Sequence, residues 1–442
     1  MKLYSTKGEV AEVDLKEAVF KGLPDDNGLF MPTSIPKLPL SFFENIHTLS
    51  FQEIALEVTK ALIGDEIPES DLKDLVYDAV NFDAPTVHLH DSIYCLELFH
   101  GPSLAFKDFG ARFMSRLMSY YLKKEQKDIN ILVATSGDTG SAVAQGFLGM
   151  DGISITILYP SGKVSMSQEM QLTTLSQNIT ALEIDGVFDD CQALVKQAFL
   201  DKELCSTMNL SSANSINIAR LIPQSFYYFN AYAQLKREGK LEGKKLVFCT
   251  PSGNFGNICG GFIAKNMGLP IDHFVATTNA NNVVPTYLET GVFNAKPSVS
   301  TISNAMDVGN PSNFPRLLAL NGNEFKKVIE NISGSSFSDT QTRQAMHAVF
   351  KQTNYIMCPH TALGYLGIKE YLSTKNDAYV GVFLATADAS KFADIVEEEI
   401  GEKVEIPQRL LDIINRKKVS IPMGKDFSGF KNYLMGLTKQ DA

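Results

Sequence analysis

The stretch Phe-His-Gly-Pro-Ser-Leu-Ala-Phe-Lys-Asp-Phe-Gly, residues 99–110, sets one lysine, Lys107, among aromatic residues. Two loops rich in glycine and hydroxyl residues follow it, Ala-Thr-Ser-Gly-Asp-Thr-Gly-Ser at 134–141 and Thr-Pro-Ser-Gly-Asn-Phe-Gly-Asn at 250–257. A segment typical of a strand precedes each loop, and a segment typical of a helix follows it. This repeated strand–loop–helix order indicates an α/β protein.

The same alternation extends along most of the chain. Apolar segments typical of strands lie at 93–99, 130–134, 153–159, 246–249, 274–278 and 378–386. The last of them is almost continuously apolar, as in a parallel strand buried on both faces. Apolar residues spaced by four predict a helix after Lys107, namely Phe109, Phe113, Leu117 and Tyr121. We therefore predict an α/β fold of two lobes with a parallel-sheet core.

Three regions are predicted along the 442 residues. Residues 1–85 form a small leading domain, with helical patterns near 51–58 and 72–76. Residues 86–405 form the two α/β lobes, and residues 406–442 form a C-terminal extension that packs on them. Within the lobes, residues 295–320 are rich in Ser, Asn and Pro, which predicts a long polar connection that lines the site or is mobile.

Composition narrows the classes of function. The net charge is -10 and no long run of Lys or Arg occurs, so nucleic acid is not an expected partner. The six cysteines form no C-x-x-C pair, which argues against a disulfide framework and against a structural metal site. The N-terminus lacks an apolar signal core, and no apolar stretch reaches the length of a membrane span. A cytoplasmic protein without a membrane partner is therefore expected.

The second loop, at 252–257, has the composition of an anion cradle. Gly253 and Gly256 let the backbone approach a ligand, and the following helix N-terminus adds a dipole that favours negative charge. The loop is neither a Walker A motif, which needs Gly-Lys-Ser/Thr, nor a G-x-G-x-x-G dinucleotide fingerprint. Two interpretations stay open, a tight strand–helix turn and a cradle for the phosphate of a mononucleotide-sized ligand.

The first loop, at 136–141, carries more hydroxyl groups and one carboxylate. Asp138 disfavours a lone dianion there, so the loop suits a substrate with a carboxylate and a hydroxyl, or else Asp138 is a helix N-cap. Lys107 by itself is typical of a solvated surface lysine. Partial desolvation by its aromatic neighbours would lower its pKa and make the neutral amine a nucleophile for an aldehyde cofactor.

Five motifs, in this order along the chain, resemble those of the threonine synthases, within the tryptophan-synthase-β-like group of pyridoxal phosphate enzymes. They are the leading motif, in two segments at 4–8 and 21–32, the lysine motif at 100–108, the loop at 136–140, the segment Asn-Ser-Ile-Asn-Ile-Ala-Arg at 214–220 and the loop at 252–257. The resemblance covers essentially the whole chain. It implies a fold type II pyridoxal phosphate enzyme with an additional N-terminal domain.

The resemblance also implies roles for individual residues. Lys107 would be the catalytic residue and hold the cofactor as a Schiff base. The cofactor phosphate would be bound, mainly through backbone N–H groups, by Gly253, Asn254, Phe255, Gly256 and Asn257. Thr386 would offer its hydroxyl to the pyridine nitrogen, which makes the ring a milder electron sink than an Asp partner does. The substrate would be bound by Ser136, Asp138, Thr139, Ser215, Asn217 and Arg220, the last three at its phosphate.

The activity implied is conversion of O-phospho-L-homoserine and water to L-threonine and phosphate, by γ-elimination and β-addition. Two alternatives are a lyase that releases a keto acid from the same substrate and a non-catalytic binding protein of the same fold. A monomer or a homodimer fits the resemblance. The chain departs from the family pattern at Ser103, where Thr is usual, at Asp388, where His-Pro is common, and at Asp138, where related enzymes use Asn near the cofactor.

Overall fold

The computed structural model describes residues 1–125, 128–375 and 378–437. Within these ranges the strands form three sheets. The strands, in chain order, are β1 (Lys2–Ser5), β2 (Val13–Asp14), β3 (Phe30–Pro32), β4 (Thr86–His90), β5 (Ile93–Glu97), β6 (Ile129–Ala134), β7 (Ile153–Pro160), β8 (Ile179–Ile184), β9 (Leu210–Ser212), β10 (Lys245–Pro251), β11 (His273–Thr278), β12 (Ile332–Ser336), β13 (Tyr379–Ala385) and β14 (Ile421–Met423).

Helices alternate with these strands from β5 onward. The α-helices are α1 (Leu15–Lys21), α2 (Leu40–Asn45), α3 (Phe51–Ile63), α4 (Glu69–Ala79), α5 (Lys107–Glu125), α6 (Asp138–Phe147), α7 (Met166–Thr173), α8 (Phe188–Leu200), α9 (Lys202–Thr207), α10 (Ile218–Leu221), α11 (Phe226–Arg237), α12 (Gly256–Asn266), α13 (Val283–Thr290), α14 (Phe314–Leu320), α15 (Phe325–Asn331), α16 (Asp339–Thr353), α17 (Pro359–Ser373), α18 (Ala393–Ile400), α19 (Gln408–Ile414) and α20 (Phe427–Leu437). Short 3-10 helices lie at Ile46–Thr48, Gly64–Glu66, Ile222–Ser225, Asn304–Met306 and Ala389–Phe392.

The N-terminal region has its own antiparallel sheet, in the order β2-β1-β3, followed by the amphipathic helices α3 and α4. Ser50 and Glu53 form a capping box that starts α3. The apolar faces of both helices belong to one hydrophobic cluster with residues of both lobes, and the ring of Phe51 lies 5.8 Å from that of Phe109 in α5. The predicted helices at 51–58 and 72–76 are confirmed, whereas the boundary at residue 85 stays a prediction.

One lobe contains the six-stranded sheet, in the order β12-β11-β10-β13-β5-β4. Its strands pair in parallel except for the edge strand β4, which is antiparallel to β5. The predicted apolar strand at 378–386 is β13, at the centre of this sheet, and six of its seven residues are buried. A strand with neighbours on both edges and helices on both faces is apolar throughout, as the sequence pattern indicated.

The other lobe contains the five-stranded sheet, in the order β14-β8-β7-β6-β9, and all its recorded pairings are parallel. β14 comes from the C-terminal region, so that region adds a strand to the sheet as well as packing on it. Helix α20 then buries Phe430 and Leu434 in an apolar cluster with α8 and β8.

The segments that carry the motifs leave the two sheets at the carboxyl ends of their strands. The first loop follows β6, the second follows β10, and Thr386 follows β13. Because β10 and β13 are neighbours in one sheet, the second loop and Thr386 are brought side by side. The carboxyl edge of parallel strands is where α/β proteins bind ligands, so this edge is the natural place for a site.

The predicted polar connection at 295–320 is only partly correct. Its last seven residues form the helix α14. Asp307 fixes the middle of the segment, because its carboxylate accepts hydrogen bonds from Asn279, Asn281 and Thr301. The sequence did not reveal this anchoring because two of the partners, Asn279 and Asn281, lie outside the segment, just after the carboxyl end of β11. Among the described residues, no helix is long and apolar enough to cross a membrane.

The burial of α20 makes a prediction about stability. Leu434→Ala removes a side chain with no exposed surface, so we expect a loss of about 2–5 kcal/mol in the free energy of unfolding of the C-terminal region. Urea unfolding followed by circular dichroism, with limited proteolysis of the C-terminus, measures this loss. The control is Leu40→Ala, where the side chain is 81% exposed and the expected change is within about 0.5 kcal/mol. Equal effects of the two substitutions would contradict the packing described.

Candidate active site

Lys107 begins α5 directly beside the end of β13. The N–H of Phe106 donates to the carbonyl of Thr386 at 2.9 Å, and Ala105 forms an isolated bridge with Ala387. Lys107 is half-buried, and its Nζ lies 6.0 Å from the centre of the Phe106 ring. Phe109, the other predicted aromatic neighbour, is turned into the core instead. The interpretation of Lys107 as a fully solvated surface lysine is therefore wrong.

The surroundings of Lys107 favour its neutral form. Burial lowers the pKa of the amine to about 8, the nearby cations Lys391 and Arg220 act in the same direction, and the carboxylate of Asp138 opposes them. An amine with such a pKa is partly deprotonated near neutral pH. It can then act both as a nucleophile and as a proton carrier.

The first loop is held by Thr135, which the sequence analysis did not single out. Its Oγ1 accepts hydrogen bonds from the N–H groups of Gly137 and Gly140, at 2.9 and 2.8 Å. Ser136 and Thr139 remain half-buried, and within the described residues no protein acceptor is recorded for their N–H groups. The geometry leaves these two residues available to a ligand carboxylate, and their assignment to the substrate stays a prediction.

Asp138 is not an N-cap. Gly137 is the N-cap of α6, and Asp138 is the first helical residue, whose carboxylate makes no capping bond. Its Oδ1 instead lies 2.6 Å from Nζ of Lys391 and accepts a hydrogen bond from Gln168 at 3.1 Å. Burial alone would raise the pKa of Asp138, but Lys391 and Lys107 outweigh burial and hold that pKa well below its usual range. The carboxylate is therefore ionised and faces Lys107.

The second loop presents a run of unpaired backbone donors. Within the described residues, the N–H groups of 253–258 have no recorded protein acceptor. Those at the start of α12 are free because the first N–H groups of a helix have no partner within it. Phe255, the N-cap, takes a left-handed conformation with a φ of 60° and is buried. The buried amide nitrogens of Asn257 and Asn313 also lack an acceptor. These donors suit a multiply charged anion such as a phosphate.

The side chain of Asn254 fastens this loop to its neighbours. Its Nδ2 donates to Oγ of Ser215 at 2.6 Å, and its Oδ1 accepts from both the N–H and the hydroxyl of Ser312 at 2.6 Å. Asn257 is fixed in turn by the hydroxyls of Tyr227 and Tyr228. The side chains thus hold the loop in place while its backbone donors remain free.

The segment at 214–220 divides into two parts. Asn217 caps α10, and its amide donates to the carbonyls of Val19 and Ser212, so we reassign it from the substrate to a structural role. Arg220 is buried, its Nη1 donates to the carbonyl of Ala213, and its Nε has no acceptor. Within the described residues it forms no ion pair, although the carboxylate of Asp108 is near enough to act on its charge. A Cβ placed on Gly110, one turn after Lys107, would lie 2.8 Å from that Nε.

Lys391 is a member of the site that the sequence analysis missed. Its side chain is fully buried, and its Nζ contacts Asp138 and donates to the carbonyl of Ser103 at 3.0 Å. Asp388 caps the 3-10 helix at Ala389–Phe392 and so places Lys391. The signal that could have revealed it is its position, since it lies in the short segment that leaves the carboxyl end of β13.

Family models match almost the whole chain. The model described as "Threonine synthase N terminus" matches residues 2–80, "Pyridoxal-phosphate dependent enzyme" matches residues 80–385, and "Threonine synthase, C-terminal" matches residues 361–434. Among curated proteins, the threonine synthase of Escherichia coli (strain K12) is 41% identical over 437 residues, which cover 98% of this chain and 99% of that protein.

The chain belongs to the threonine synthase family. The predicted resemblance and fold class are thereby confirmed. The threonine synthase of Saccharomyces cerevisiae (strain ATCC 204508 / S288c), at 35% identity, covers 92% of this chain and 91% of its own length. Among solved structures, threonine synthase from Escherichia coli superimposes with a TM-score of 0.91 at 40% identity, covering 99% of this chain and 100% of that one. The pyridoxal-phosphate-bound enzyme from Brucella melitensis gives 0.92 at 34% identity, with the same coverage.

The residues present fit the cofactor of this family. Pyridoxal phosphate needs an amine for its aldehyde, donors for its phosphate and a polar partner for its ring nitrogen. Lys107 offers an amine whose pKa is lowered, residues 253–258 offer unpaired N–H groups, and Thr386 lies at the end of the neighbouring strand. Gly256 has room around it, but Gly253 is pressed against the backbone of Ala305 and Met306.

This difference between the two glycines yields a prediction. A Cβ on Gly253 would lie 2.7 Å from Cα of Met306, whereas a Cβ on Gly256 would meet nothing closer than 3.4 Å. We expect Gly253→Ala to displace the loop and weaken pyridoxal phosphate binding by about tenfold or more, and Gly256→Ala to have a much smaller effect. Fluorescence titration of each variant, freed of cofactor, with pyridoxal phosphate measures the two dissociation constants. Equal affinities in the two variants would refute this view of the loop.

Proposed function

We propose that this protein converts O-phospho-L-homoserine and water to L-threonine and phosphate, as a carbon–oxygen lyase that depends on pyridoxal phosphate. The observation that carries the proposal is Lys107, a half-buried amine with a lowered pKa at the carboxyl edge of two parallel sheets, in a chain of the threonine synthase family. Non-catalytic use of the fold is not favoured, because this amine and the free N–H groups of 253–258 are both retained.

Each part of the site has one task in this proposal. Pyridoxal phosphate, when bound, supplies an electron sink for negative charge that develops at the α and β carbons of the substrate. The N–H groups of 253–258 would hold the cofactor phosphate, and the hydroxyl of Thr386 would be the partner of the ring nitrogen. Lys107 takes the proton from the α carbon and returns protons later, for which its lowered pKa of about 8 is suited.

The substrate is held at both of its ends. Ser136 and Thr139 bind its carboxylate through the first loop, which Thr135 keeps in place. Arg220 and Ser215 receive its phosphate. Burial lowers the pKa of Arg220 to about 10, yet the guanidinium remains charged at neutral pH. A dianion recruited by a chain of net charge -10 needs such a local cation. Phosphate then leaves from the γ carbon, and water adds at the β carbon.

The proposal extends to the partners and the compartment of the protein. The protein acts in the cytoplasm, as a monomer or a homodimer, and has no nucleic-acid partner. The acidic composition supports the last point. The decisive experiment for the function is to incubate the purified protein with O-phospho-L-homoserine and to quantify phosphate together with the organic product. L-threonine in amounts equal to phosphate supports the proposal, and a keto acid in its place would indicate the lyase alternative.

A first prediction concerns the lysine. Borohydride reduction of the loaded protein should fix the cofactor on Lys107, because this amine combines a lowered pKa with a place beside Thr386. Peptide mapping by mass spectrometry locates the label. Lys107→Ala should still bind cofactor weakly and lose turnover, since the proton carrier is gone. A label on another lysine would remove Lys107 from its role.

A second prediction concerns the substrate phosphate. Arg220→Met should lower kcat/KM for O-phospho-L-homoserine by about ten- to a hundred-fold, the effect of one hydrogen bond to a charged group, with little change in cofactor affinity. Steady-state kinetics and cofactor titration on one preparation measure both. The control is Arg343→Met, because Arg343 pairs with Glu398 on the surface. Unchanged kinetics in Arg220→Met would assign Arg220 a packing role only.

A further inference from the structure

A buried lysine outside the predicted motifs contacts two segments of the site. Nζ of Lys391 lies 2.6 Å from Oδ1 of Asp138 in α6 and donates to the carbonyl of Ser103 at 3.0 Å. The exposed fractions of the two paired side chains are 0% for Lys391 and 5% for Asp138. Two further hydrogen bonds hold Ser103 in place. Gln171 also donates to the Ser103 carbonyl, and the Ser103 N–H donates to the carboxylate of Asp108.

Stability alone is a weak reason to bury such a pair. Removing two charges from water costs several kcal/mol per ion, and a buried pair often contributes no more than apolar residues of the same volume. The surface pairs of this chain, such as Lys431 with Asp201, have no such cost because their charges remain near water. The position of the Lys391–Asp138 pair, opposite Lys107, suggests a reason in the chemistry of the site.

Lys107 is surrounded by charged and titratable groups from four elements. Asp138 comes from α6, Arg220 from α10, His360 from α17 and Lys391 from the 3-10 helix after β13. Asp108, the next residue in α5, is buried as well. Burial lowers the pKa of His360 to about 4, so its imidazole is neutral at neutral pH, and its Nε2 accepts a hydrogen bond from the N–H of Ala305. Asp138 is thus the carboxylate that faces the amine. Because Lys391 balances the charge of this carboxylate, the carboxylate attracts the Lys107 proton less strongly.

We propose that Lys391 is a positioning residue for proton transfer: it fixes Asp138 beside Lys107 and balances its charge, so that the Lys107 amine can release its proton near neutral pH. The inference rests on the proposed function, in which Lys107 carries protons to and from the substrate. It assigns to Lys391 no contact with the reacting atoms. Gln168, which donates to the same oxygen of Asp138, helps to fix the carboxylate but cannot balance its charge.

Opposite shifts in two single variants test this inference. Lys391→Met leaves the charge of Asp138 unbalanced, which stabilises the protonated form of Lys107. Asp138→Asn leaves the charge of Lys391 unbalanced, which destabilises the protonated form of Lys107. The midpoint of Lys107 acetylation against pH is measured by mass spectrometry on the full chain freed of cofactor, with circular dichroism to verify the fold. We expect a midpoint about one pH unit or more higher in Lys391→Met and correspondingly lower in Asp138→Asn.

Further variants make the result specific. The double variant Lys391→Met/Asp138→Asn should return the midpoint towards that of the unmodified protein, and Lys391→Arg should keep it there. Lys431→Met is the matched control, because it removes a lysine from a surface pair with Asp201 and should shift nothing. If Lys391→Met does not fold, the downward shift in Asp138→Asn alone decides the outcome.

An unchanged midpoint in Asp138→Asn, or shifts of the same sign in both single variants, would overturn the inference. The pH profile of kcat in the loaded enzyme should move with the labelling midpoint, whereas a merely structural role of Lys391 would lower kcat at every pH alike. The labelling needs no turnover. Failure of the inference is therefore distinguishable from failure of the proposed function, which the product analysis tests separately.

Discussion

The balance of charge around the Lys107 amine is the constraint on which the site depends. In a chain of net charge -10, the Lys107 amine is surrounded by two further cationic side chains, Lys391 and Arg220, and by the ionised carboxylate of Asp138. A second carboxyl, Asp108, is buried nearby, and burial raises its pKa to about 6. The local excess of positive charge suits a cofactor and a substrate that both carry phosphate. It also keeps the proton affinity of the amine low.

The two loops resemble each other in sequence but differ in how their backbone is satisfied. In the first, the Thr135 hydroxyl accepts two N–H groups, and few donors remain for a ligand. In the second, the run at 253–258 has no recorded acceptor among the described residues, and the side chains of Asn254 and Asn257 hold the loop from outside. The pattern of hydrogen bonding therefore supports the proposed phosphate site, whereas glycine content alone left a tight turn equally possible.

The sequence predicted the features that depend on local pattern. The apolar strands, the helix after Lys107 and the two strand–loop–helix units are properties of neighbouring residues, and all appear in the structure. Features that depend on contacts between distant segments could not be predicted from the sequence. Lys391 is 253 residues from Asp138, and the amide of Asn217 binds a carbonyl of Val19 in the N-terminal domain. The residues adjacent to Lys391 and Asn217 do not identify these partners, although the position of Lys391 after β13 indicates the carboxyl edge of the sheet.

These distant contacts give the N-terminal domain a direct connection with the site. Arg316 in α14 is fully buried and donates to the carbonyls of Phe30, in β3, and Ile216, in the predicted substrate segment. It also donates to Oδ1 of Asn313, whose free amide nitrogen lies beside the second loop. One guanidinium thus joins the N-terminal sheet to the two segments to which we assign phosphate binding. Because a buried guanidinium N–H that loses its acceptor costs the free energy of desolvating that group, the domain and the site are constrained to keep one geometry.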